Sequence, residues 1–247
     1  SGKPWYMVGN GSNLLVGDKG FRGTIISTER LTELEVYKNE NSIIAGAGVM
    51  ISKLANTAAR EKLTGLEFAA GIPGTVGGAV MMNAGAYGSE MNNVLLWADV
   101  MDRDGTVKRL KNEELELGYR TSALERRGLF AVRAAFSLTT GDPDAIRAKM
   151  EELAAKRKEK QPLEYPSSGS TFKRPEGCFA GKLIEDAGLK GFSVGGAAVS
   201  EKHAGFVINK DHGTAADILE LCNEVKRRVK ENSGVDLEME VKLLGDF

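Results

Sequence analysis

Residues 71–88, GIPGTVGGAVMMNAGAYG, hold six glycines in eighteen positions and no charged side chain. Glycine tolerates positive φ and lets another group reach the backbone, so such a run favours tight turns and close approaches. Backbone N–H groups left free in loops of this kind form concavities that hold anions. A cofactor with a pyrophosphate suits them. The familiar phosphate loops do not fit, because GIPGTVGG lacks the Lys-Ser/Thr pair of a P-loop. GAGVMI (46–51) and GNGSNL (9–14) open like GxGxxG but lack the third glycine, and their surroundings are not a regular Rossmann unit. For any one glycine, a structural turn between strand and helix is the better reading. Two glycine clusters in one region favour a dinucleotide site.

The remaining composition excludes more than it selects. A chain of 247 residues can form one large domain or two modest ones. Its net charge of -1 gives no bulk attraction to nucleic acid or to an anionic membrane. Cys178 and Cys222 suggest neither a disulfide framework nor a metal knuckle, and read as reduced thiols of a cytoplasmic protein. No apolar run approaches the roughly 18 residues of a membrane span, and no signal peptide is visible. His203 and His212 have no second ligand near them in sequence, so no metal is expected; His203 reads as a structural hydrogen-bonder at a strand start. The chain opens SGKPWYMVGNGSN without a Met, as in a processed, tagged or truncated product.

The pattern predicts an α+β protein. Short Val- and Ile-rich runs, WYMVG, GTIIS, ELEVYKN and NSIIAGAG, are bounded by Gly or Asn and read as strands. ISKLANTAAREKLTG reads as a helix burying Ile51, Leu54, Ala55, Ala58 and Ala59, with Gly65 placed to end it. Asp104-Gly105 marks a hairpin, and LFAVRAAFSLTT is a further strand. DPDAIRAKMEELAAKRKEKQP is a charged helix with Asp142 as N-cap, Pro143 in its first turn and Pro162 closing it. A domain boundary is placed near 140, giving domains 1–139 and 140–247. The second holds a short helix ending at Gly188 and the strand pair FSVGGAAVS and AGFVINK. A helix follows, capped by Thr214 and burying Ile218, Leu219, Cys222, Val225 and Val229, and then a closing strand DLEMEVKLL. Strands and helices mix without a regular βαβ repeat.

GNGSNLLV, GIPGTVGGAVMMNAGAYG, YRTS, PSSGSTFKRPEG, AGKLIEDAGLKG, HAGFVIN and LEMEVKLLG stand in an order and near-spacing that resembles the UDP-N-acetylenolpyruvoylglucosamine reductases of peptidoglycan synthesis. Each motif alone is weak, but seven in order span essentially the whole chain. The resemblance implies an FAD-binding domain of the vanillyl-alcohol oxidase type, followed by a smaller α+β substrate-binding domain. It implies non-covalent FAD, NADPH as hydride donor, a UDP-sugar substrate, and a cytoplasmic monomer that binds no nucleic acid and inserts in no membrane. The cofactor would lie against Gly9, Asn10, Gly11, Ser12, Asn13 and Leu14, and against Gly71, Pro73, Gly74, Thr75, Gly77, Gly78, Asn83 and Gly85. The family carries a further N-terminal lobe before GNGSN, whereas eight residues precede that motif here. The spacing from Arg120 to Ser170 is that of the subgroup without an inserted tyrosine loop.

The implied reaction, reduction of an enolpyruvyl ether to a lactyl ether, makes chemical demands. Charge building beside a carboxylate needs a cationic or hydrogen-bonding clamp, and the carbon then needs a placed proton donor. Arg120 of YRTS matches the clamp, since a guanidinium grips carboxylates in bidentate fashion. Ser170 matches the family's proton donor, polarised by Lys173 and the glycine-flanked turn. Glu240 matches the catalytic glutamate, although strand alternation alone puts Glu238 and Glu240 on one face. Tyr87 would sit at the substrate end, and Arg157, Lys173 and Arg174 would meet the pyrophosphate of a UDP-sugar. From the residues alone, Arg120 reads better as a surface arginine at a strand end, Arg157 as part of a solvated helix face, and the serines as loop. Two other functions stay open: another flavoprotein of this fold, such as an oxidase, and a non-catalytic UDP-sugar-binding fragment. A covalent-flavin oxidase commonly anchors its cofactor on His or Cys, and neither occurs before Cys178.

Overall fold

A computed structural model describes residues 2–247. The chain forms two compact units, a larger one of Trp5–Gly11 and Ile25–Arg157, and a smaller one comprising the residues up to Pro4, Ser12–Thr24 and Lys158–Phe247.

The larger unit is built on a five-stranded antiparallel sheet. Its strands lie in the order Val107–Lys111, Leu95–Met101, Phe130–Ser137, Ser42–Gly46, Leu34–Tyr37. The hairpin expected at Asp104-Gly105 joins the first two. Gly105 has φ +87, and the Asp102 carboxylate accepts from the amides of Asp104 (2.9 Å) and Thr106 (3.0 Å). Side chains at the sheet centre are small: Ala45, Ala47, Ala98 and Ala134 are fully buried beside Ile43 and Phe136. Small residues let helices approach closely. Thus the helix Val76–Met81 lies so near that a Cβ on Gly77 would stand 2.9 Å from the Ala47 Cβ.

The helix Ile51–Arg60 buries Ile51, Leu54, Ala55 and Ala58 as expected, with Thr57 rather than Ala59 as the fifth buried position. It also stops short of Gly65. Lys62, at φ +61, turns the chain left-handed and its amide still reaches the Ala59 carbonyl, so the helix ends before the glycine. The helix Pro143–Lys160 starts at Asp142, whose carboxylate accepts from the Asp144 amide (3.0 Å).

In the smaller unit a three-stranded antiparallel sheet, Ser193–Val194, Ala197–Val199 and Val207–Asn209, packs with the helices Ala180–Asp186 and Ala215–Ser233. FSVGGAAVS is therefore two strands, not one, folded back at Gly195-Gly196. A side chain on Gly196 would collide with the Asp211 carbonyl. The long helix buries Leu221, Cys222, Val225 and Val229, while Ile218 and Leu219 are half-buried. Of the expected closing strand, Lys242–Leu244 is regular and runs parallel to Leu14–Val16; the preceding stretch makes one bridge, Phe172 to Met239.

Candidate active site

In the larger unit the loop at Gly9–Gly11 packs on the loop at Pro73–Thr75. The Asn10 amide donates to the Pro73 carbonyl (2.6 Å), and any side chain on Gly9 would collide with Thr75 Oγ1. Thr75 is 5% exposed and its hydroxyl finds no hydrogen-bond partner among the described residues. A buried, unpaired hydroxyl is unusual in native proteins and points to a group from outside the chain. The glycine loops thus form a cradle with an unanswered polar atom, which suits a polar cofactor. Several of these glycines also answer packing needs within the chain. Gly77 makes room for Ala47, Gly71 lies against Arg157 (3.1 Å from an added Cβ to Cδ), and Gly85 sits in a hairpin against Ser89 and Glu90. The amides of Val76 and Gly77 are taken by the carbonyls of Val49 and Ala47 (2.8 and 2.9 Å). Gly78 is exposed, with the nearest outside atom 3.8 Å from an added Cβ. The Gly74 carbonyl accepts from the Ile51 amide (3.0 Å).

Arg120 occupies a tight turn. Gly118 and Thr121 exchange both backbone hydrogen bonds (3.1 and 3.3 Å), and between them Arg120 has φ +53. Its guanidinium donates to the Gly85 carbonyl at 3.4 Å. Tyr87, 46% exposed, lies two residues on, in the hairpin Gly85–Ala86 to Ser89–Glu90. Asn83 is buried (1%). Its Nδ2 donates to the Gly118 carbonyl (3.1 Å) and its Oδ1 accepts from the Asn92 amide (2.9 Å). The completely buried Ser122 donates to the Met81 carbonyl (2.7 Å). The bonds of Asn83 to Gly118 and of Ser122 to Met81 link residues 35 and 41 apart and leave no local pattern in the sequence. Arg157 is half-buried beside Gly71, and its burial lowers the guanidinium's pKa, against a smaller raising influence of Tyr87.

In the smaller unit, residues 171–173 and 238–240 lie side by side. The Glu240 amide donates to the Thr171 carbonyl (2.9 Å) and the Lys173 amide to the Glu238 carbonyl (2.8 Å). Ser170 is exposed one residue before this pairing, after Gly169 at φ +80. Thr171, 3% exposed, fixes the segment further, donating from its amide to Gly205 O (2.9 Å) and accepting from the Val207 amide on its hydroxyl (2.9 Å). The shared face expected for Glu238 and Glu240 is not found. Glu240 is 7% exposed, whereas Glu238 is exposed and pairs with Lys173. The stretch is not a regular strand there, so alternation does not hold. Arg174 lies over the Phe179 ring, 4.6 Å from its centre. From the GNGSN motif, Asn13 donates to the Glu240 carbonyl (3.1 Å), and the Leu14 carbonyl accepts from Ser168 (2.9 Å). Ser12 stands beside them in the same unit. His203 accepts the Gly205 amide on Nδ1 (3.0 Å) and stacks edge-on against Phe206, a structural role.

Residues 1–111 match the family described as "FAD binding domain", which places the protein among flavoproteins of that class. Residues 161–244 match "UDP-N-acetylenolpyruvoylglucosamine reductase, C-terminal domain". The UDP-N-acetylenolpyruvoylglucosamine reductase of Clostridium novyi is 54% identical, the match covering 98% of this chain and 78% of the relative. That of Geobacillus kaustophilus is 51% identical, over 99% of this chain and 80% of the relative. The crystal structure of UDP-N-acetylenolpyruvylglucosamine reductase from Thermus caldophilus superposes with a TM-score of 0.84 at 37% identity, over 99% of this chain and 86% of that one. The chain belongs to the UDP-N-acetylenolpyruvoylglucosamine reductase family. No helix among the described residues is long and apolar enough to cross a membrane.

Proposed function

We propose that the protein reduces UDP-N-acetylglucosamine enolpyruvate to UDP-N-acetylmuramate for peptidoglycan synthesis, as an FAD enzyme that uses NADPH. What carries the reading is the 54% identity to a reductase over 98% of the chain, with Arg120, Ser170 and Glu240 each standing in its motif. The same names speak against the oxidase and the non-catalytic fragment.

Bound FAD supplies the hydride, received from NADPH, that adds to the alkene carbon remote from the ether oxygen. The protein's own groups do the rest. Gly9, Asn10 and Gly11, with Ser12, Asn13 and Leu14, hold the cofactor; so do Gly71, Pro73, Gly74, Thr75, Gly77, Gly78, Asn83 and Gly85. Within this set Thr75 Oγ1 and the exposed Gly78 are the groups with most to offer a ligand. Arg120 grips the substrate carboxylate and disperses the negative charge that builds next to it. Ser170 delivers a proton to the carbon that bears the charge. Glu240, held by its own amide to Thr171, assists the proton delivery. Tyr87 contacts the substrate, and Arg157, Lys173 and Arg174 meet the UDP pyrophosphate. Lys173 must leave Glu238 to do so; that partner is 71% exposed and the exchange costs little. We assign flavin binding to residues 1–139 and UDP-sugar binding to residues 140–247, in a cytoplasmic monomer that binds no nucleic acid.

Replacing Ser170 with Ala tests this. Stopped-flow absorbance should show flavin reduction by NADPH unchanged and re-oxidation by the enolpyruvyl UDP-sugar lost. Normal turnover in Ser170→Ala would refute the proton-donor role.

A further inference from the structure

A carboxylate clamp needs its guanidinium held still, yet Arg120 sits at φ +53, a conformation that any side chain raises in energy. Such a residue persists only where its surroundings over-determine it. Two bonds do so here, one on each side of the turn. Before it, the Gly118 carbonyl accepts from Asn83 Nδ2 (3.1 Å). After it, Ser122 Oγ donates to the Met81 carbonyl (2.7 Å). Both anchors lie in residues 81–83, where the helix Val76–Met81 ends.

The position of Ser122 sharpens the point. It is the N-cap of the helix Ala123–Arg127, where a serine ordinarily accepts a backbone amide of the first turn. Its hydroxyl makes no such bond. It is turned instead to a carbonyl 41 residues back in the chain, at a site with no solvent exposure. A helix cap has been given up for a bond that ties down the residue two places after Arg120.

We propose that Ser122, supported by Asn83, is a positioning residue for Arg120: it sets where the guanidinium points and touches neither substrate nor cofactor. The inference rests on reading Arg120 as the carboxylate clamp.

The test uses the full chain with FAD bound. Calorimetry gives the affinity for the enolpyruvyl UDP-sugar and, separately, for UDP-N-acetylglucosamine, which has no carboxylate. In Ser122→Ala the first affinity should weaken ~10-fold while the second holds, because only the first ligand uses the clamp. Re-oxidation of the reduced enzyme by substrate should slow ~10- to 100-fold, the usual cost of a misplaced catalytic group, with NADPH-driven flavin reduction within ~2-fold of normal. Ser122→Thr, which keeps the hydroxyl, should recover most of the loss. In an Arg120→Ala background, Ser122→Ala should add nothing further, since the group it positions is gone. An unchanged carboxylate-dependent affinity in Ser122→Ala, or an equal loss in both backgrounds, overturns the inference while leaving the clamp intact. An Arg120→Ala enzyme that binds and reduces substrate normally overturns the clamp, and the inference falls with it. Should Ser122→Ala melt below the assay temperature, Ser122→Cys is read through the same cycle, because a thiol keeps the size of the side chain and donates only a weak hydrogen bond.

Discussion

Removing the Asp18 carboxylate should destabilise the smaller unit by about 2 kcal/mol. The helix Ala215–Ser233 begins with three amides that lack an intrahelical acceptor, those of Ala215, Ala216 and Asp217; the Ile218 amide already reaches the Thr214 carbonyl (3.2 Å). Thr214 Oγ1 takes the Asp217 amide at 3.0 Å. The two oxygens of Asp18 take the others, Oδ1 from Ala215 at 2.8 Å and Oδ2 from Ala216 at 3.0 Å. A capping side chain contributes about 0.5–2 kcal/mol, and a negative charge at a helix start about 0.3–1 kcal/mol more. Since Ala216 is exposed, water recovers part of its bond after substitution, which holds the total near 2 kcal/mol rather than the larger sum of two charge-assisted bonds. Asp18→Asn keeps one acceptor and loses the charge, so about half the effect should remain. In urea, with a slope of roughly 2 kcal/mol per molar, Asp18→Ala should lower the midpoint by about 1 M. Amide exchange is the more specific readout, because Ala215 and Ala216 should lose protection while Asp217 keeps it. A loss below about 0.5 kcal/mol in Asp18→Ala, beneath what a single cap contributes, would refute the account of this helix start. So would unchanged exchange at those two amides.

Three further outcomes are expected. Asp99, 8% exposed, is held by Arg109 (2.8 and 3.0 Å) and Arg133 (2.8 Å). Hydrogen bonding from Arg109 above all keeps its carboxyl below the ordinary 3.8. Its contribution is therefore present above pH 3.8 and lost as pH falls through the lowered value. Asp99→Asn should cost about 1–2 kcal/mol at neutral pH, discounted because both arginines are partly exposed, and should flatten acid unfolding curves below pH 3.8. Burial lowers His203 from 6.5, so the unfolded chain takes up the proton first. Stability should fall as pH drops below 6.5, and His203→Gln should remove that slope in melts taken from pH 7 downward. Gly9→Ala drives a methyl into Thr75 Oγ1 and should weaken FAD binding ~10-fold or more, about 1.4 kcal/mol; an unaltered affinity by flavin fluorescence titration would exclude this loop from the cradle.

The sequence announces its local structure well, because the determinants are local. Asp104-Gly105, Asp142 before Pro143 and Thr214 each act within a few residues, and each marks the turn or helix start expected of it. Where distant contacts decide, the local signal misleads. Gly65 does not end its helix, because Lys62 already turns left-handed. Glu238 and Glu240 part company because the chain pairs with residues 171–173 outside a regular strand. Gly77 also has a packing role that no local pattern announces, since its missing side chain makes room for Ala47. The candidate residues Arg120, Ser170 and Glu240 become visible through seven motifs in order; taken singly they are a surface arginine, a loop serine and a strand glutamate. The structural bonds of Asp18, Asn83 and Ser122 give no local signal, since their partners lie 197, 35 and 41 residues away.

One structural signal marks the Arg120 region independently of any motif. Among the described residues, seven other than glycine have positive φ: Asn41, Lys62, Asn83, Tyr87, Glu116, Arg120 and His212. Asparagine and histidine enter this region more readily than other residues, which covers Asn41, Asn83 and His212. Lys62 and Glu116 follow the ends of helical turns, and Glu116 is held there by Arg126 and Arg127. Tyr87 and Arg120 are different, because each is a bulky residue held left-handed inside a two-residue turn. Tyr87 and Gly88, at φ +55 and +85, join Gly85–Ala86 to Ser89–Glu90 in a hairpin of the I′ kind, where Asn-Gly is the favoured pair. Arg120 holds the second place, that of Gly88, in the turn between Gly118 and Thr121, and its guanidinium reaches Gly85 at the base of the Tyr87 hairpin. Residues in sparsely populated conformations cost of order 1–3 kcal/mol each and gather where the side chain is needed for something else. Foldability alone would have put asparagine or glycine at both turns. That a tyrosine and an arginine stand there, in contacting loops of one unit, supports reading both side chains as kept for a ligand. Violations of local consistency at a functional site are the expected form of that evidence.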